Sequence, residues 1–134
     1  MIDTEILIIG GGAAGLTAAI ELSQDHKVSV ISKEKIIDSS TWYAQGGIAA
    51  VMGEKDSIEE HISDTLEVGD GICNKKAVSH CVKNSKAAIN WLIEMGVNFT
   101  KTKDGEKLHL TQEGGHSKRR VAHSKDTTGK EVSN

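Results

Sequence analysis

The sequence predicts an α/β fold built on a parallel sheet, and three observations predict it. Residues 5–9 (EILII) form a short apolar run that stops at a glycine cluster. Residues 13–23 (AAGLTAAIELS) are rich in Ala and Leu, as a helix requires. Residues 27–32 (KVSVIS) alternate apolar and polar, as a strand does. Strand, helix and strand in that order make a βαβ unit, whose right-handed crossover lays its two strands parallel in one sheet. Repeated, such units build a doubly wound, Rossmann-like sheet.

Each element has its own justification. The first run carries no polar alternation, which suits a strand buried on both faces. In the first helix Leu16, Ala19, Ile20 and Leu22 supply the inner face. Val28, Val30 and Ile31 are the apolar positions of the second strand. Ser57-Ile58-Glu59-Glu60 matches a capping box, so a helix should follow to about Val68 and end at Gly69. Asn74 suits the N-cap of a further helix that reaches Met95, with Gly96 at C′. Val78, Cys81, Val82, Ser85, Ala88, Ile89 and Leu92 recur at helical spacing and predict its buried stripe. Residues 97–100 and 107–111 read as short strands around the turn Lys103-Asp104-Gly105. Residues 127–134 (TTGKEVSN) read as the opening of another helix. There is no internal repeat.

Bulk properties bound the class. A chain of 134 residues, 37% apolar and 26% charged, suits a globular domain. A net charge of −3 gives no pull toward nucleic acid. No apolar run approaches the roughly 20 residues of a membrane span. The N-terminal Met1-Ile2-Asp3-Thr4-Glu5 is acidic, unlike a secretory signal, and a cytoplasmic location is expected. Cys73 and Cys81 lie outside any CxxC spacing, so buried free thiols are expected and no metal site is.

Gly10-Gly11-Gly12-Ala13-Ala14-Gly15 fits GxGxxG, between a predicted strand and a predicted helix. Gly10 would permit the tight turn, Gly12 the approach of a pyrophosphate, and Gly15 close helix–strand packing. The helix N-terminus would offer free amides to the phosphates. The acid that a dinucleotide site places about 20 residues on is missing. The second strand ends instead at Ser32-Lys33, with Glu34 next. Lys33 is either a solvated loop lysine or a cation for the nucleotide's ribose or phosphate.

The stretch Ser39-Ser40-Thr41-Trp42-Tyr43-Ala44-Gln45-Gly46-Gly47, continuing into Ile48-Ala49-Ala50, holds two of only four aromatics. By pattern it is either a strand with a glycine kink or a loop against a cofactor. With this stretch, with Asp56-Ser57-Ile58, Asp64-Thr65-Leu66, Gly71-Ile72-Cys73 and Trp91-Leu92-Ile93, and with the run Leu108-His109-Leu110-Thr111-Gln112-Glu113-Gly114-Gly115-His116-Ser117-Lys118-Arg119-Arg120, the chain resembles the fumarate reductase and succinate dehydrogenase flavoprotein family. The likeness covers essentially the whole chain, and it is closest to that family's L-aspartate oxidase branch.

The resemblance implies an FAD-binding domain and oxidation of L-aspartate to iminoaspartate, on a route to quinolinate and NAD, with oxygen or fumarate as electron acceptor. Residues 11–14 would hold the pyrophosphate, Ser32 and Lys33 the adenosine side, and residues 39–47 the flavin side, with Trp42 and Tyr43 walling it. Glu113, by pattern alone a surface charge, would orient the substrate amine. It would separate this branch from a fumarate reductase or succinate dehydrogenase subunit, the alternative reading. No His occurs between Lys27 and Asp56, so the FAD is expected to be non-covalent. Arg119 and Arg120 would lie near the substrate dicarboxylate, since an Arg fork binds carboxylate bidentately. His116 and His123 are either contributors to the site or structural. The resemblance also implies a partner, quinolinate synthase. It further implies that residues 1–134 are the N-terminal part of an FAD-binding domain, without capping and C-terminal helical domains, without a catalytic residue, and inactive alone.

Overall fold

The apolar run after Glu5 forms strand β1, Ile6–Ile9, and the glycine cluster delivers the chain into helix α1, Ala13–Leu22. Strand β2, Val28–Ile31, returns parallel to β1, with Ile6 opposite Val28 and Ile9 opposite Ile31. The structure, a computed structural model, describes residues 3–134; Met1 and Ile2 of the acidic N-terminal stretch lie outside it. The chain divides into two units, Met1–Gln45 with Gly129–Asn134, and Gly46–Thr128.

The first unit contains the predicted βαβ element, but its apolar residues are less covered than expected. Leu7 and Ile9 of β1 are exposed, and so are Ile20 and Leu22 of α1, whereas Leu16 and Ala19 are half-buried. Among the described residues one helix and one neighbouring strand cover β1, which leaves alternate side chains open. After a 3-10 turn at Ile36–Asp38 the chain loops through residues 39–45. The unit ends in helix α4, Thr128–Ser133, where a helix opening was predicted.

The second unit has a three-stranded antiparallel sheet. Strands β3 (Ile48–Ala49), β4 (Leu110–Thr111) and β5 (Val121–Ala122) lie in the order β3-β5-β4. Of the two strands predicted around Gly105, residues 97–100 form none, and the second shrinks to β4. Lys101 and Leu108 make one antiparallel bridge, and the partner of β4 is β5. Strand β5 escaped prediction because a two-residue strand carries no periodicity, while β3 falls in the stretch for which a strand with a glycine kink was one of two readings.

Helix α2, Ile58–Val68, begins as its capping residues require: Ser57 Oγ accepts the Glu60 amide at 3.1 Å. The Ser57 amide goes to Asp56 Oδ1 at 2.9 Å rather than to Glu60. Gly69 ends the helix in right-handed backbone, and the reversal comes at Asp70 and Gly71, whose φ values are 42° and 84°. Gly69 is glycine for space, because a Cβ there would strike Cys73 Sγ. Helix α3, Lys75–Glu94, has Asn74 Oδ1 accepting the Lys76 and Ala77 amides, and Gly96 follows at φ 100°. Val82 and Ile89 of its stripe are buried; Val78, Ser85 and Leu92 are half-buried. Cys81 and Ala88, at the edge of the stripe, are exposed, and Cys73 is half-buried, so the thiols are not core residues. Ala50, Ile89, Phe99 and Ala122 form the core, with Ile48, Met52, Leu92, Val97, Leu108 and Leu110 against it.

Candidate functional site

In the first unit the GxGxxG turn has the geometry its sequence implies. Gly10 sits at φ 125°, a conformation open to glycine, and its amide donates to the Ile31 carbonyl at 2.8 Å. A Cβ on Gly15 would collide with the Gly10 carbonyl and lie 3.4 Å from Ile8 Cγ2, so α1 starts hard against β1. The first intrahelical bond of α1 runs from the Leu16 amide to the Gly12 carbonyl, so the Ala13, Ala14 and Gly15 amides have no acceptor within the helix. Its N-cap, Gly12, brings no side-chain cap, and its first turn has no acid. Thr41 Oγ1 accepts the Ala13 amide at 3.0 Å and would lie 3.5 Å from a Cβ on Gly12. Glycine backbone, two amides without an acceptor in the helix and a hydroxyl thus meet at a helix N-terminus whose first turn carries no acid. That donor set fits a pyrophosphate.

The rest of the 39–45 loop is braced within the same unit. Ser39 Oγ accepts the Trp42 amide at 3.2 Å. Tyr43 is exposed, and its hydroxyl bonds to Asp38 at 3.2 Å, which raises its pKa. Sequence reasoning gave Gly129 no role, yet a Cβ there would strike the Thr41 carbonyl. The Gly129 amide donates to the Ala44 carbonyl at 2.8 Å, and Lys130 Nζ lies 5.4 Å from the centre of the Trp42 ring. Ser32, Lys33, Ser40 and Gln45 are exposed.

In the second unit Gly46 and Glu113 come together: a Cβ on Gly46 would sit 3.4 Å from Glu113 Oε2 and 3.5 Å from Oε1. Glu113 is exposed, at the head of a turn closed by the His116 amide on its carbonyl at 3.2 Å. Gln112 Nε2 donates to the His116 carbonyl at 2.7 Å across the same turn. Gly47 has a different reason to be glycine, since a Cβ there would strike the Ala122 carbonyl and lie 2.6 Å from Val121 Cγ1.

The arginines need correction. Arg120 is fully buried, and its fork is committed to protein carboxylates. Nε and Nη2 bond Asp56 at 2.8 and 2.7 Å, and Nη1 bonds Asp64 at 2.7 Å. Burial opposes the charge, but the bonds to the two aspartates outweigh it and raise the pKa. Arg120 is therefore structural here. Arg119 is exposed and reaches only the Leu110 carbonyl, at 3.5 Å. Asp64 also accepts the Ser117 amide and hydroxyl, each at 2.7 Å; with the amide foremost, these bonds hold its carboxyl down to about 2. His61 is buried beside this cluster, its ring 5.6 Å from that of His116. Burial, then the Arg120 charge, lowers its pKa; the neutral ring tolerates an Nδ1 without a hydrogen-bond partner among the described residues. His123 pairs with His109 at 2.9 Å instead of facing this cluster. Asp56 and Asp64 stand in two of the stretches that carry the family resemblance, but sequence reasoning gave neither a role. Their signal was one acid just before the N-cap of α2 and one in its middle, against a distant basic run.

Among the described residues no group of three or more His, Cys, Asp or Glu could hold a metal, and no helix is long and apolar enough to cross a membrane.

Comparison with known proteins bears on this geometry. A family model described as an FAD binding domain matches residues 5–133. The chain is 50% identical to an L-aspartate oxidase of Yersinia pestis, over 96% of this chain and 25% of that one. It is 48% identical to that of Vibrio cholerae, over 93% and 24%. It thus spans about a quarter of the length of the curated relatives it matches. Among solved structures it superposes on Mycobacterium smegmatis Sdh1 in complex with UQ1 with a TM-score of 0.89 at 34% identity, over 97% of this chain and 22% of that one. An E. coli quinol fumarate reductase gives 0.90 at 31%, over 98% and 23%.

Proposed function

The chain belongs to the family of FAD-binding domains, its cofactor is FAD, and from that membership we propose that it is the N-terminal, FAD-binding part of a longer L-aspartate-oxidising enzyme. In this reading the Gly10–Gly15 turn and Thr41 hold the pyrophosphate through amides and a hydroxyl. Lys33 meets the adenosine side, and Ser39 to Gly47 meet the flavin side without a covalent bond. When bound, FAD would supply the hydride acceptor for oxidation of L-aspartate to iminoaspartate, with oxygen or fumarate as the electron acceptor. The chain's own contribution on the substrate side is Glu113, whose carboxylate pairs with the substrate ammonium. A cytoplasmic location and a functional link to quinolinate synthase belong to the same proposal.

One observation carries the reading: Glu113 lies against Gly46 of the Gln-Gly-Gly segment, in a chain half identical to an L-aspartate oxidase. The solved neighbours of succinate dehydrogenase and fumarate reductase type favour a second reading, a flavoprotein subunit acting on a substrate without an amine. Glu113→Gln in the full-length FAD-loaded polypeptide separates the two. Loss of a hydrogen bond to a charged group costs about 1.5–3 kcal/mol, so KM for L-aspartate should rise roughly tenfold to a hundredfold. Inhibition by succinate, which has no amine, should stay constant. Equal weakening of both ligands would reject the amine-binding role.

A further inference from the structure

We infer that Asp64 is a positioning residue that fixes the turn carrying Glu113, an inference that rests on the proposed role of Glu113 in binding the substrate amine. The turn is laid along one face of α2. Positions 60, 64 and 68 recur every four residues and so share a helix face. Lys118 Nζ lies 3.4 Å from Glu60. The Ser117 amide and hydroxyl both bond Asp64 Oδ2 at 2.7 Å. A Cβ on Gly115, at φ 83°, would sit 2.7 Å from Val68 Cγ2, so backbone rests directly on that side chain. His61, on the adjoining position, meets His116 edge to face.

Asp64 is the centre of this seam. One of its oxygens takes three donors, two from Ser117 and one from Arg120 Nη1, and Arg120 is itself held by Asp56. Ser117 is four residues past Glu113, and the turn between them is closed by the His116 amide on the Glu113 carbonyl. The end of the turn is therefore anchored to a helix by charge-assisted bonds, while its head is exposed beside Gly46. Without that anchor the Glu113 carboxylate keeps its chemistry and loses its fixed place, which weakens recognition of a substrate amine.

The test uses the full-length FAD-loaded polypeptide with Asp64→Asn, which keeps shape and removes charge, and Ser117→Ala, which removes one donor and leaves the Arg120 pair intact. Hydrogen exchange of residues 112–118 should accelerate about tenfold in Asp64→Asn, and less in Ser117→Ala, with the α3 amides and the flavin content unchanged. Asp64→Asn should raise KM for L-aspartate about tenfold with Glu113 present and have no further effect in a Glu113→Gln background. Unchanged exchange in the turn overturns the inference. Multiplying effects of the two substitutions on KM also overturn it, while leaving the reading of Glu113 intact. If Glu113→Gln alone does not move KM, it is the amine-binding reading that falls, and exchange alone then decides whether Asp64 holds the turn.

Discussion

Replacing Arg120 with methionine removes the guanidinium from a buried cluster, and the structure indicates where the cost falls. The Asp56 side chain is 4% exposed and gives both oxygens to Arg120, at 2.7 and 2.8 Å. After the substitution its bond from the Ser57 amide, at 2.9 Å, remains. Asp64 is 15% exposed and keeps both Ser117 donors. The stranded charge is therefore chiefly Asp56, and breaking a buried pair by deleting one member costs on the order of 3–5 kcal/mol. Lysine retains the charge, but a single ammonium cannot reproduce a fork spanning two carboxylates, so Arg120→Lys should still cost about 1–3 kcal/mol. Adding Asp56→Asn to Arg120→Met neutralises the stranded group and should restore part of the loss. Urea unfolding of the single and double variants near neutral pH, followed by far-ultraviolet circular dichroism, reads all three values. A cost for Arg120→Met below about 1 kcal/mol, the range of exposed pairs, would refute the reasoning. So would a double variant no more stable than the single one.

Two further outcomes follow from the same geometry. Asp64 titrates at about 2 in the folded chain against an ordinary 3.8. Its depressed pKa contributes stability that is fully present above the ordinary value and is lost as pH falls from about 4 toward 2. In acid titrations the stability gap between the parent and Asp64→Asn should close across that window; a gap constant with pH contradicts the assignment. Gly129→Ala places a Cβ 2.7 Å from the Ala44 carbonyl and against that of Thr41, both backbone atoms that cannot rotate away. Overpacking of this kind costs about 1–3 kcal/mol, and if it displaces the 39–45 loop, FAD affinity by fluorescence titration should fall roughly tenfold. Unchanged affinity would separate Gly129 from the cofactor loop.

The legible parts of the fold were those whose cause is local. Gly10, Gly15 and Gly96 occupy backbone or space that a side chain would obstruct, and Asn74 and Ser57 cap the helices they precede. Strand β5 was not legible and β3 was only one of two readings, because two residues cannot display a period and their mutual pairing joins positions more than 70 apart. Gly47 illustrates the limit from the other side. It stands in the stretch expected on the flavin side, and a Cβ there would strike the Ala122 carbonyl of β5, a long-range contact that no local pattern announces.

The same distinction explains why Arg120 was misplaced and Asp64 overlooked. A basic run beside a candidate substrate residue invites pairing with the ligand's carboxylates, but which carboxylate an arginine meets depends on long-range contacts. Arg120 meets Asp56 and Asp64, 64 and 56 positions away in sequence. Two aspartates and a fully buried guanidinium would be an expensive arrangement if its only product were stability, since apolar residues of equal volume often serve as well. Here the arrangement also leaves Asp64 able to bind Ser117, and with it the turn headed by Glu113. An apolar replacement would preserve a core and remove that directional anchor. The cluster therefore orients the turn as well as strengthening the fold, and in an Asp64→Asn variant the two are told apart by exchange in residues 112–118 measured against that of the α3 amides.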